Sequence, residues 1–436
     1  MGKFHSAFRS IGELRAFLIL WAGQAFSALG SAMTAYALVI WSYRQAGSAL
    51  TTALLMVSSY TPYILLSVFA GAFSDRWNKK KTMLVCDSAA ALTTVAVLAL
   101  LQAGRLAIWH IYLINAVNGL MNSVQQPASE VAVTRVLPPR YYQRVGGLRY
   151  LASSFNSLLT PIAATALLGL FGLPAVIYFD LITFAAASLS LLLWVKIPED
   201  GGTRGEKEPF WASVGTAVQW LKGEPGIFSL MLFLAAINLV ASMYNAAFPA
   251  MMLSRAGGGE RAMGLVNAVI GGATLAGSLA ASLMKAPKSR VRVICNCLLF
   301  AMSTENLMLA LGRSPWVWCL AGFLGWIAIP TMNANLDVIF RQRIPAALQG
   351  RVYAVRNALQ FFTIPTGYFL GGLGVDKMCE PIMAAQQGGP LTALFGQGKG
   401  SGAALFFFLI AWLGIAVCLI FRRNRHIWAL ESHSRT

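Results

Sequence analysis

The chain has 436 residues, 57% hydrophobic and only 11% charged, with 34 basic against 16 acidic side chains and a formal net charge of +18. Soluble domains carry about 25% charged residues. With a mean hydropathy of +0.62 there is too little polar surface to wrap a water-soluble core of this length, which excludes a soluble enzyme.

Apolar runs long enough to cross a bilayer recur along the whole chain. Twelve helical spans are predicted, over 16–41, 49–72, 82–103, 108–130, 146–169, 173–195, 226–252, 262–284, 292–312, 316–340, 352–375 and 401–421. The runs are continuous rather than alternating in ten-residue pieces, which disfavours a β-barrel. The first run is too long for the core of a signal peptide and lacks a convincing cleavage site, so it is kept as a helix. The longest polar stretch lies near the middle and divides the chain into a six-helix half over 1–197, a linker over 198–225, a second six-helix half over 226–421 and a tail over 422–436. Phe210, Trp211, Val214, Val218 and Leu221 recur in the linker at helical spacing. That pattern suits a short amphipathic helix on the inner membrane surface, with a plain solvated linker as the other option.

The basic residues are sorted by side. Arg44, Arg105, Arg255, Arg261, Arg313, Lys377 and Lys399 fall in one set of loops, and the other 27 fall on the opposite side. The positive-inside rule then places both termini in the cytoplasm. The basic excess is thus topological, and no nucleic-acid partner is expected. Cys295 and Cys297 are two apart and make no CxxC, while Cys86, Cys319 and Cys418 read as small apolar fillers. His5, His110, His426 and His433 are scattered, so neither a metal site nor a cofactor is expected. There is no phosphate-binding loop, HExxH or GxSxG; the glycines from Gly396 to Gly400 have the wrong spacing and read as a connector.

A short repeat relates the halves. Pro138, Arg144-Val145 and Arg149 recur 207 residues later as Pro345, Arg351-Val352 and Arg356 with identical internal spacing. Each copy follows an even-numbered span on the same side, as expected for parallel halves related by an axis along the membrane normal.

Between the second and third spans stands Gly71-Ala-Phe-Ser-Asp75-Arg76-Trp-Asn78-Lys79-Lys80-Lys81. This resembles the loop signature of the major facilitator superfamily, with Asn78 in place of a glycine; asparagine is the next residue type to tolerate positive φ. Asp75 and Arg76 suit pairing with each other or with a helix end, and Asp87 is a candidate partner for Arg76. Trp21, Gly23, Gln24 and Ser27, then Pro127-Ala128, Phe179-Asp180 and Gly350-Arg351-Val352, resemble the drug-efflux branch that includes bacterial macrolide exporters. The fifth span departs from other drug exporters: Asn156 to Pro161 lacks the glycine-rich antiporter motif.

The resemblance implies an all-α polytopic membrane protein with two pseudo-symmetric six-helix halves. Spans 1, 4, 7 and 10 would line a central cavity, with 3, 6, 9 and 12 as support. Polar stripes fall on the predicted lining helices: Gln24, Ser27, Ser31 and Thr34; Asn115, Asn118, Asn122 and Gln126; Asn238, Ser242 and Asn245; Trp326, Asn333 and Asp337. Polar side chains in hydrocarbon must face protein or water, so the stripes mark either a cavity or interhelical hydrogen bonds. Among intramembrane acids, Asp87, Asp180 and Glu305 lie on support helices and suit structural pairing. Glu130 and Asp337 end lining helices one turn from Arg135 and Arg341; they suit inner-gate ion pairs or proton uptake during coupling. With no Lys or Arg near a helix centre, a neutral or cationic amphiphile is the expected substrate. The implied activity is proton-coupled efflux by a monomer in the bacterial cytoplasmic membrane. Export of a natural metabolite such as a siderophore, or lysophospholipid transport, is the alternative.

Overall fold

The computed structural model describes residues 2–76, 78–136, 142–195, 210–386 and 388–432. The elements are α1 (Gly2–Ala46), α2 (Ala49–Arg76), α3 (Lys79–Gln102), α4 (Ile108–Val136), α5 (Tyr142–Phe171), α6 (Leu173–Trp194), α7 (Phe210–Gly223), α8 (Pro225–Ser254) and α9 (Glu260–Leu283). They continue with α10 (Arg290–Leu311), α11 (Pro315–Ile327), α12 (Ile329–Arg343), α13 (Ala346–Leu373), α14 (Glu380–Ala385), α15 (Pro390–Phe395), α16 (Ser401–Arg422) and α17 (Arg425–Ser432).

Ten segments among the described residues are long and apolar enough to cross a membrane, α11 and α12 together forming one of them. α4 and α13, at 29 and 28 residues, are each about 42 Å or longer at 1.5 Å per residue, ample for a core of about 30 Å. What sets them apart is polarity: α4 carries its amide stripe, and α13 carries Arg351, Arg356, Asn357 and Gln360. With these two the bundle has the expected twelve spans.

The tenth span, expected as one helix over 316–340, is broken. α11 ends and α12 begins at Ala328, with Pro330 at the start of α12. A proline has no N–H to donate and its ring displaces the carbonyl four residues back. Where an outer loop is expected after residue 375, the chain instead runs on through a π-helical turn, Gly374–Cys379, into α14 and α15.

The chain divides into two compact units. The first comprises Met1–Trp41 and Ser58–Thr203, and the second Ser42–Val57 and Arg204–Thr436. In the first unit α3 packs on α4 and α6, and α5 on α6; Leu20, Met83, Ala128, Ala132, Leu191 and Val195 form an apolar centre. α4 also meets α2 at Gly119, where any Cβ would drive into the carbonyl oxygen of Ser59. In the second unit α8 packs on α13 and α16, α9 on α11, and α10 on α11, α12 and α16. α7 forms in the linker and buries Ala217 and Leu221 in this core, while Val218 is exposed. α17 closes it with Ile427 and Leu430.

The second unit includes residues 42–57 because their polar groups are satisfied there. Asp376 caps α2: its Oδ2 accepts from Ser48 Oγ at 2.5 Å and Leu50 N at 2.9 Å, and its Oδ1 from Ala49 N at 3.0 Å. A carboxylate suits the unsatisfied N–H groups and positive end of a helix. One turn on, Glu380 Oε1 accepts from Gly400 N at 2.9 Å, at the start of α16. Arg44 pairs with Glu260, and Tyr43 donates to Ala250 O at 3.3 Å. Burial pushes the Glu380 carboxyl above the ordinary glutamate range, against the opposing pull of backbone N–H groups at Gly400, Ala403 and Gly402.

Three substitutions and one control test this packing. Gly119→Val should cost about 1–3 kcal/mol or more by overpacking and lower the Tm of purified protein; Gly169→Val, where a Cβ meets nothing within 4 Å, should leave Tm unchanged. Asp376→Ala should cost about 1–2 kcal/mol through the lost cap. Glu380→Gln should behave oppositely, because a raised carboxyl pKa stabilises the fold at low pH and loses that contribution as pH rises through it. The glutamine variant should melt at or above wild type at about pH 8, with the gap closing below the ordinary value of 4.5.

Candidate substrate cavity

A cavity of about 520 Å³ lies wholly within the first unit. α1 contributes Gln24, Ser27, Ser31 and Thr34, and α4 contributes Asn115, Asn118, Asn122 and Gln126, so both sequence stripes of this unit open into one space. α2 adds Ser59, α3 adds Asp87 and α6 adds Asp180. No Lys or Arg is among the described lining residues.

The walls come close because α1 lacks a side chain at Gly30. A Cβ there would lie 2.9 Å from the Asp180 Cα, so the α1 backbone rests directly on α6. That approach lets Ser31 Oγ donate to Asp180 Oδ1 at 3.0 Å. Across the cavity, Asp87 accepts from two amides, Gln24 Nε2 at 3.4 Å and Gln125 Nε2 at closer range. One carboxylate on α3 is thereby tied to α1 and α4 at once. The outer amides are held as well: Thr93 Oγ1 donates to Asn118 Oδ1 at 3.2 Å, and Tyr63 OH to Gln126 Oε1 at 2.6 Å.

The two carboxylates therefore meet neutral donors in these bonds, not a fixed cation. A charged group taken out of water is costly unless paired and hydrogen-bonded; a cavity with two such groups is chemically suited to receive positive charge. The sequence offers Asp87 as a partner of Arg76 or a structural pair and Asp180 as a structural pair, and the predicted stripe does not include Gln125. Gln125 was legible, one turn beyond Asn122 on the α4 stripe. The acids also carried a signal, since an ionisable residue inside a span is a functional candidate by default.

The loop motif is described in part. Asn78 has φ −60° and is extended, not in the positive-φ conformation expected of it; its Oδ1 accepts from Lys81 N at 2.8 Å and caps α3. Lys79 is buried, and Lys80 Nζ donates to Leu192 O and Val195 O at 2.9 and 2.8 Å, placing positive charge on the carboxyl end of α6. The side chains of Gly71, Asp75, Arg76, Glu130 and Arg144 lie outside the described residues, and so does any pairing of Arg76 with Asp87. Arg351, the repeat partner of Arg144, is half-buried in α13.

In the second unit the candidates are dispersed. Ser242 is buried against α13 at Gly367, Asn238 is half-buried, and Asn245, Asn333 and Asp337 are exposed. Trp326 donates through Nε1 to Glu305 Oε1 at 3.1 Å, and Tyr244 OH donates to the same oxygen at 2.7 Å. Glu305 is buried on α10, and Gly325 gives it room, since a Cβ there would lie 2.7 Å from the Glu305 Cβ. Tyr244, on α8 beside the predicted stripe, escaped the sequence reading because nothing local distinguishes it from a core aromatic.

Comparison with known proteins agrees with this architecture. Macrolide efflux protein A of Streptococcus pyogenes is 22% identical over 368 residues, spanning 83% of this chain and 90% of that protein. The MFS-type transporter YfiS of Bacillus subtilis is 23% identical over 385 residues, spanning 84% and 88%. Among solved structures, the nucleoside transporter NupG superposes with a TM-score of 0.64 at 11% identity, covering 93% of this chain and 98% of its own. A bacterial homologue of the iron transporter ferroportin in an inward-facing state reaches 0.66 at 13% identity, covering 94% and 99%. The family model of the Major Facilitator Superfamily matches residues 20–368. A twelve-span membrane bundle with that match across most of its length is a transporter, and the chain belongs to the Major Facilitator Superfamily.

Proposed function

We propose that the protein exports amphipathic small molecules, neutral or cationic and macrolide-like, by proton-coupled alternating access in the bacterial cytoplasmic membrane, with both termini inside and a monomer as the working unit. The observation that carries this reading is the cavity of the first unit, walled by amides and two carboxylates with no Lys or Arg among the described lining residues. The relatives named for macrolide efflux support the direction and the substrate class.

In this reading a cationic group entering the cavity competes with Gln24 and Gln125 for Asp87 and with Ser31 for Asp180. Each displaced bond loosens a tie between helices, so occupancy changes the relative energy of helix arrangements. A ligand shifts such an equilibrium only by its difference in affinity between the states. Glu130 and Asp337 stay candidates for proton uptake, and Asp87 and Asp180 join them.

The test is accumulation of a macrolide panel and cationic dyes in intact cells with and without a protonophore. Expression should lower accumulation and the protonophore should abolish the effect. Asp87→Asn or Asp180→Asn should weaken export of cationic substrates about tenfold, the scale of one hydrogen bond to a charged group, and spare neutral analogues. Glu130→Gln should leave expression intact and remove dependence on the pH gradient. Equal losses for neutral and cationic substrates would remove the charge-recognition role of the two aspartates; export of siderophores or lysophospholipids alone would replace the drug reading.

A further inference from the structure

α9 ends at Leu283 and α10 begins at Arg290, and the connection between them carries Lys285, Lys288, Arg290 and Arg292 on the side that the charge tally makes the inner one. A crevice of about 130 Å³ opens between this connection and α12. Lys285, Arg290, Thr331 and Asn335 supply its polar lining, with Val293 and Val338 as apolar floor. At ~30 Å³ per water it holds about four water volumes, well below the roughly 300 Å³ of a small-molecule pocket. It is the size of a headgroup, not of a drug.

Arg290 is held in place here. Its Nη1 donates to Asn335 Oδ1 at 3.1 Å; Asn335 is only 7% exposed and is itself fixed by Nδ2 donating to Thr331 O at 2.9 Å. A residue serving topology alone needs only its charge on the correct side, not a buried amide to aim it. The rim is apolar: Leu283 is 86% exposed, and Leu279 and Met284 are exposed beside it at the end of a membrane-spanning helix. The acid near this helix end, Glu431 of α17, accepts from Ser289 Oγ and Val291 N, both at 2.7 Å, and is not among the crevice lining.

We propose that this crevice binds the phosphate of an anionic membrane phospholipid, with Lys285 and Arg290 on the phosphate oxygens and the acyl chains lying over Leu283 and Met284. Basic pockets between transmembrane helices at the cytoplasmic surface recognise anionic headgroups in this manner. The lipid would bridge the α9–α10 connection to α12, the helix that follows the break at Ala328.

Protein purified in neutral detergent is titrated with phosphatidylglycerol, phosphatidylcholine or inorganic phosphate and read by native mass spectrometry and thermal melting. Phosphatidylglycerol should form retained one-to-one adducts and raise the Tm, and the other two should do neither. Lys285→Gln with Arg290→Gln should weaken phosphatidylglycerol binding about tenfold or more, and Lys288→Gln should not. Because loss of Arg290 strips a partner from buried Asn335, Lys285→Gln alone, on an exposed side chain, serves as the variant that leaves packing intact and should still weaken binding. Equal retention of phosphatidylcholine, an equal shift by inorganic phosphate, or undiminished binding in both the double and single variants would overturn the assignment.

Discussion

Hydrocarbon offers no hydrogen bonds, and this structure is organised by that deficit. A polar atom placed at membrane depth is costly unless it meets a partner in the protein or water in a cavity. In the first unit Asp87 is met by Gln24 and Gln125, and Asp180 by Ser31. In the second, Glu305 is met by Tyr244 and Trp326. The same need governs helix ends. Arg255, counted from sequence among the loop charges, is buried and donates to Leu309 O, Ala310 O and Phe395 O, closing the carboxyl end of α10. Lys80 does the equivalent for α6. Among the described residues, Arg255 and Lys80 serve backbone termini, while Asp87, Asp180 and Glu305 tie helices together.

The two units meet this need differently. The first sets its polar groups around an open space, beside an apolar cluster that includes Leu20, Met83, Ala128 and Leu191 among the described residues. The second packs tightly along α8, with Phe233, Ile237, Leu298 and Phe340 in one continuous core. Its intramembrane acid is enclosed rather than presented. The two units thus differ in chemistry, and two basic loops of the sequence differ in the same way: Gly71 to Lys81 contains an aspartate, and Lys285 to Arg292 contains none.

How much was legible follows from what is local. Span count and the α1 and α4 stripes depend on periodicity and burial, which a sequence displays directly. Asn78, expected at positive φ as a stand-in for glycine, instead caps α3 from extended backbone. The break at Ala328 was signalled by Pro330, yet an apolar run masks such a proline when only hydropathy is followed. The π-helical turn at Gly374–Cys379 and the trans caps by Asp376 and Glu380 were not readable. Their meaning depends on partners 328 and 20 residues away in sequence, and no spacing rule connects them. Asp87 shows a related limit: proximity to a charged loop suggests Arg76, and nothing local points to the amides of Gln24 and Gln125 on two other helices, from which it accepts.

The position of residues 42–57 has a mechanical side. α1 is one unbroken helix from Gly2 to Ala46, yet the unit boundary falls within it, after Trp41. Near one end Arg44 is anchored to Glu260, and along the shaft Ser31 and Gln24 hold the two cavity acids. At 1.5 Å per residue, Ser31 and Gln24 are about 10 Å apart along the helix. The positions of the donors that meet Asp180 and Asp87 are thus set by the rise of one helix, so the backbone itself acts as the ruler for the cavity's two acids.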